Sequence, residues 1–112
     1  MTLPNADRAV IDDAKVRDYL LSPEHPIGRA KARFFGRLGF RRDRWRDLRD
    51  ALLALAQAGS ASRTSVGVFG QKYVVRGTIQ GPAGQAVVVT VWIVLRGEDF
   101  PRFLTAYPGG AK

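Results

Sequence analysis

Between Ala58 and Thr64 the hydrophobic period of the chain changes, and that change limits the fold more than any other feature. Before it, apolar residues recur at helical spacing; beyond Arg63 they alternate. A chain that is helical first and strand-rich afterwards builds an α+β domain, here three N-terminal helices packed on one face of a C-terminal four-stranded antiparallel sheet. The 112 residues suit one domain, 1–112, with residues 1–11 and 109–112 expected to be mobile.

The first helix is expected from Asp13 to Leu21, with an aspartate of the Asp12-Asp13 pair as its cap and Val16, Tyr19 and Leu20 at helical spacing. Ser22-Pro23-Glu24-His25-Pro26 ends it as a stiff turn, because proline lacks an N–H and pushes the preceding residue towards extended geometry. A second helix starts at Gly28, carries Ala30, Phe34 and Leu38 on one stripe with Phe35 beside it, and stops at Gly39 as a left-handed cap. Asp43 caps a third helix reaching Ala58, with Trp45, Leu48, Leu52, Leu55 and Ala56 facing inward. Gly59-Ser60-Ala61-Ser62 then connects the two layers.

Four strands are expected at Thr64 to Phe69, Lys72 to Ile79, Gln85 to Arg96 and Arg102 to Tyr107, with turns at Gly70-Gln71, at 80–84 and at 97–99. Alternation places Tyr73, Val75, Ile79, Val87, Val89, Val91, Ile93, Leu95, Leu104 and Ala106 beneath the helices. The open face is expected to carry Lys72, Val74, Arg76, Thr78, Val88, Thr90, Trp92, Phe103, Thr105 and Tyr107, while the side taken by Arg102 depends on register. Cations, hydroxyls and aromatics on an open sheet provide phosphate donors and base-stacking surfaces, as RNA-binding platforms do. An ordinary solvated face with cross-strand pairs is the other reading.

Charge narrows the partner. The chain carries a net charge of +8, and Gly28 to Arg49 holds nine cations against two acids, Asp43 and Asp47. Such a focus attracts RNA or another polyanion, or an acidic protein, more than a neutral small molecule; solubility alone is the competing explanation. Arg29, Arg33 and Arg37 recur every turn as one exposed ridge. Together with Arg76, Arg102 and Trp92 they form the candidate nucleic-acid-binding set.

The absence of cysteine removes thiolate chemistry and thiolate metal sites, and a single histidine argues against a structural zinc or His-based metal centre, so no metal is expected. No phosphate-cradling glycine loop, serine elbow or paired-carboxylate arrangement is present, so no cofactor is expected either. No apolar run is long enough to span a bilayer and no signal peptide opens the chain, which predicts a cytoplasmic protein without membrane contact.

His25 is the residue best suited to move a proton near neutrality, and Lys31 follows it by about two helical turns. Metal-independent RNA cleavage needs a base, an acid and cations around the phosphorane. His25, Lys31, Thr105 and Tyr107 form the candidate catalytic set if the proline-bounded turn lies over the edge of the sheet. The alternative is that His25 caps a helix or stabilises its turn.

The run Tyr19-Leu20-Leu21-Ser22-Pro23-Glu24-His25-Pro26, followed by Gly28, Lys31-Ala32 and Phe34-Phe35, resembles an uncharacterised bacterial domain family. That family is usually patterned Tyr-Leu-Leu-Asn-Pro-x-His-Pro-x-Gly-x-x-Lys-Ala-x-Phe-Phe. Leu38-Gly39-Phe40, Thr90-Val91-Trp92-Ile93, Phe100-Pro101-Arg102 and Leu104-Thr105-Ala106-Tyr107-Pro108 extend the likeness over most of the chain. Ser22 stands where the pattern has Asn, while the His25 and Lys31 positions are intact. The family is similar to domains found at the C-terminus of polymorphic and contact-dependent toxins or encoded beside an antitoxin. Its element order also looks like the barnase, EndoU, colicin and RelE group of metal-independent ribonucleases. The resemblance therefore implies a ribonuclease-like toxin acting by general acid/base transesterification, with an acidic antitoxin or immunity protein as partner. A noncatalytic basic module that docks nucleic acid or an acidic protein is the alternative function.

Overall fold

The computed structural model describes residues 1–109, and its fold is α+β. A short turn of helix α1, Asp13–Lys15, runs directly into a π-helical turn, Val16–Leu20. Helix α2 follows at Arg29–Arg37 and α3 at Trp45–Ala58, preceded by a 3-10 turn at Arg42–Arg44. The sheet is a meander of β1 (Ser60–Val66), β2 (Gly70–Gly81), β3 (Gly84–Leu95) and β4 (Pro101–Pro108), each strand antiparallel to its neighbours.

The first helix departs from the expected regular form. Asp12 supplies the cap, its carboxylate accepting from the Ala14 N–H at 3.0 Å. The Leu21 N–H then reaches back five residues to the Val16 carbonyl at 3.0 Å, which widens the turn. The wider turn brings Val16, Leu20 and Leu21 to the core together, and all three are buried.

Helix α2 faces the core through Phe35 and Leu38, while Ala30, expected on the inner stripe, is exposed. Gly39 ends it with φ of 94°, and the Phe40 N–H returns to the Phe35 carbonyl at 3.2 Å. Asp43 does not cap α3, because Arg41 draws its carboxylate into an ion pair at 3.0 Å. The inward face of α3 is as expected, with Trp45, Leu48, Leu52, Leu55 and Ala56 all buried.

Two expectations about the sheet are overturned. β1 begins at Ser60, so the small-residue stretch is strand, and the hairpin turn falls at 67–69 instead of Gly70-Gln71. Ala61, small enough to lie beneath the helical layer, is buried. More consequentially, β3 presents the opposite face. The tight Pro82-Ala83 turn pairs Gly81 with Gly84, which sets Tyr73 opposite Trp92 and Val75 opposite Thr90. Val88, Thr90 and Trp92 therefore lie under the helices, while Val87, Val89, Val91 and Ile93 share the other face with Lys72, Val74 and Arg76, where Val89 and Ile93 are nonetheless buried among their neighbours.

β4 adds a register shift between its Val91 and Trp92 partners, so Thr105 and then Phe103 become their opposites. Phe103 turns into the core against the Trp92 ring, with centroids 5.3 Å apart, and Leu104, expected to be covered, is half-buried. Residues 1–11, expected as a mobile start, are packed: Leu3 and Ile11 are buried and Val10 bridges to Arg102. Of the expected mobile end, Gly109 donates to the Val87 carbonyl at 2.7 Å, and residues 110–112 lie outside the described residues.

Inverting β3 places a polar pair in the core. The Trp92 indole N–H donates to Thr90 Oγ1 at 2.7 Å, and that hydroxyl donates to the Val75 carbonyl at 3.0 Å. Replacing Thr90→Val preserves shape but orphans the buried indole N–H, which is expected to cost about 1–3 kcal/mol in urea unfolding. An unchanged midpoint would contradict this buried network.

Candidate functional site

His25 sits at the start of α2, and its chemistry is governed by the backbone around it. Nδ1 accepts from the Ile27 N–H at 3.1 Å and from the Gly28 N–H at 3.0 Å. The His25 carbonyl also accepts from the Arg29 N–H at 3.0 Å. These donors lie at a helix start, where no intrahelical carbonyl is available to them. With the Nδ1 lone pair occupied, the proton of the neutral ring is on Nε2. Abstracting a proton through Nε2 would require the other tautomer, whose Nδ1 proton would face those two N–H groups.

Gly28 packs the turn onto the preceding helix. A Cβ added there would overlap the Tyr19 carbonyl oxygen, so the close approach excludes any larger residue. The Tyr19 ring meets His25 edge to face at 5.1 Å between centroids, and its hydroxyl lies 3.1 Å from Thr105 Oγ1. Lys15 Nζ donates to the Leu104 carbonyl at 3.0 Å. An open cleft of about 490 Å³ is lined by Ala14, Lys15, Asp18, Tyr19, His25 and Leu104.

Asp18 provides the negative charge in this cleft. Hydrogen bonds from Arg17, then from Arg42, hold its carboxyl down at about 2, well below the usual carboxylate range. It stays ionised down to strongly acidic pH and is already matched by two guanidinium groups.

Of the expected catalytic set, His25 alone lines the cleft. Thr105 is reached through Tyr19, whereas Lys31 Nζ lies 5.8 Å from the centre of the Tyr107 ring, a cation–π contact on the flank of β4. Within the set only Lys31 and Tyr107 touch; His25 and Thr105 are linked indirectly, each meeting Tyr19. Tyr19, Lys15 and Asp18 were not foreseen as site residues. A polar tip on Tyr19 within an otherwise apolar stripe was the signal that it needed a hydrogen-bond partner.

The expected nucleic-acid-binding residues separate more sharply. Arg29, Arg33 and Arg37 are exposed on α2, and none forms an ion pair among the described residues. Arg29 and Arg33 line a hollow of about 360 Å³ with Pro23; Arg33 and Pro23 also border a second hollow, of about 410 Å³, that includes Arg42. Arg76 is exposed on the open sheet face, opposite Val89. Arg102 is held by Glu98 at 2.8 Å and 2.9 Å in a two-pronged contact, and this holds the Glu98 carboxyl below its ordinary value. Trp92, expected on the open face, is instead fully buried by the β3 register, so no base can stack on it.

Among the described residues, no three His, Cys, Asp or Glu side chains gather as a metal site requires, and no helix is long and apolar enough to cross a membrane.

If His25 acts as a cap through its lone pair, His25→Ala should cost about 1–2 kcal/mol in urea unfolding, the range of a lost helix cap. His25→Asn, which retains an acceptor, should recover part of that loss. Equal stability of all three proteins would remove the capping role.

No match is found among curated proteins or among solved structures. Over residues 2–110 the sequence matches the family described as Domain of unknown function (DUF6883), and the chain belongs to that family.

Proposed function

We propose that the protein is a basic module that binds the phosphate backbone of RNA through α2. The carrying observation is the contrast in charge pairing between neighbouring segments. From Arg41 to Arg49, four of the five arginines have carboxylate partners: Arg41, Arg42, Arg44 and Arg49. The fifth, Arg46, lies 4.6 Å from the centre of the Trp45 ring. On α2 there is no acid, and Arg29, Lys31, Arg33 and Arg37 have no carboxylate partner among the described residues. Arginine kept only for solubility gives no reason for this division. A helix with like charges every turn is destabilised by their repulsion, which a row of phosphates relieves.

A second reading, cleavage of the bound RNA as a ribonuclease-like toxin, is favoured by the Tyr19–Thr105 and Lys31–Tyr107 contacts beside the His25 cleft. In that reading His25 orients or polarises a phosphate oxygen by donating from Nε2. It does not serve as the base, because its second nitrogen is engaged in the turn.

Fluorescence anisotropy with a labelled single-stranded RNA, followed by a gel of the same RNA, tests both readings. Each phosphate contact contributes roughly 0.7 to the slope of log affinity against log salt. Replacing Arg29, Arg33 and Arg37 with Ala should lower that slope by about 2. A salt-independent affinity, or an unchanged slope in the triple variant, would sink the binding reading. Intact RNA after incubation with the parent would remove the cleavage reading alone.

A further inference from the structure

The two edges of the sheet are finished differently. Along β4, the Val10 N–H donates to the Pro101 carbonyl and the Val10 carbonyl accepts from the Phe103 N–H, each at 2.9 Å. Lys15 covers the Leu104 carbonyl further along the same edge. On β1 the cover stops early: the Ala61 N–H donates to the Met1 carbonyl at 2.9 Å. Alternation along the strand turns the Arg63 N–H and C=O outward as well, and no backbone group meets them among the described residues. The strand has no proline, and its devices against further pairing are one charge, Arg63, and one register shift.

Beside this edge the β1–β2 hairpin ends in the most exposed large apolar residues of the sheet. Val66, Val68 and Phe69 are 70%, 80% and 75% exposed. The strands that build this edge and its neighbours carry charge of one sign, and the acids nearest the tip, Glu98 and Asp99 beyond the end of β3, are paired with Arg102 and Arg8. No Asp or Glu occurs between Ala51 and Gly97, whereas Arg63, Lys72, Arg76 and Arg96 do, and none of these has an ion-pair partner among the described residues.

We propose that the β1 edge and the adjoining hairpin tip receive an extended acidic segment of a partner protein as an added strand. The outward backbone groups of β1 provide its hydrogen bonds, Val66, Val68 and Phe69 its apolar contacts, and the cations of β1 and β2, which have no carboxylate partner among the described residues, its charge preference. A second copy of this chain fits less well, since it would bring the same cations against one another without a carboxylate between them. The surface is separate from α2: β1 and β4 are opposite edges of the sheet, and the Tyr19–Thr105 contact is at β4.

A labelled short peptide alternating glutamate and valine serves as the probe, with a lysine and valine counterpart as control. Affinity is read by anisotropy and location by amide hydrogen exchange. The acidic peptide should bind at least about tenfold tighter than the basic one and protect the β1 amides. Arg63→Ala, which removes only charge, should weaken binding by about threefold, and Arg63→Pro, which also removes the outward N–H, by about tenfold or more. Because Arg63 is exposed and its N–H is not part of the β1–β2 ladder, both variants should keep the parent's unfolding midpoint. Phe69→Ser, at the exposed tip, should also weaken binding and provides a test without altering the strand backbone. No binding, equal affinity for both peptides, full affinity in Arg63→Pro and Phe69→Ser, or protection confined to α2 would overturn the proposal. Self-association that protects β1 without peptide would overturn it in favour of a second copy.

Discussion

The lone pair on Nδ1 of His25 is the contact on which the placement of the N-terminal half depends. It satisfies two backbone N–H groups, of Ile27 and Gly28, that a helix start otherwise leaves to water. Those bonds hold the proline-bounded turn closed, and Gly28 then lies against the Tyr19 carbonyl, where no side chain fits. Tyr19 in turn reaches Thr105 on β4, joining the π-helical turn to the sheet. One side chain thereby aims α2, forms a wall of the cleft and sets where the basic ridge stands. The same bonds limit what His25 can do as a proton carrier, because the nitrogen a base would need to protonate belongs to the turn.

Charge is distributed with a comparable division of labour. Around α3 the arginines are absorbed locally, by Asp18, Asp43, Asp47 and Asp50, and Arg17, Arg46 and Arg49 lie within 5.8 Å of the Trp45 ring centre. Exposed pairs of this kind contribute little to stability, so their main effect is to cancel charge where it is not used. On α2 and across β1 to β3 no such cancellation occurs among the described residues. The proposed RNA surface and the proposed strand-docking edge are those two uncancelled regions. They are chemically distinct: the first offers a row of guanidinium groups, and the second adds open backbone and apolar side chains.

The fold was legible where one face of an element differs from the other. Leu48, Leu52 and Leu55 mark the inner face of α3 without ambiguity, and Tyr73, Val75 and Ile79 do the same for β2. β3 has no such contrast. Its run from Ala86 to Leu95 is apolar on both faces apart from Thr90, so alternation cannot choose between them, and the choice falls to the register imposed by the Pro82-Ala83 turn. Trp92 and the valines therefore exchanged faces relative to expectation. Phe103 was misplaced for a related reason, since a register shift in β4 leaves no trace in side-chain pattern. At the candidate site, His25, Lys31 and the α2 ridge were visible as residue types. Their relations were not: neither the hydrogen bonds to Nδ1 nor the Tyr19 bridge to Thr105 can be read from spacing, because each depends on how the turn folds back across a distant strand.

The most direct test of the anchoring role of His25 is the nitrogen NMR spectrum of its imidazole at neutral pH. The neutral ring is expected as a single tautomer, with the proton on Nε2 and Nδ1 showing the shift of an unprotonated, hydrogen-bonded acceptor. A proton on Nδ1, or two tautomers averaging rapidly as in a free side chain, would contradict it.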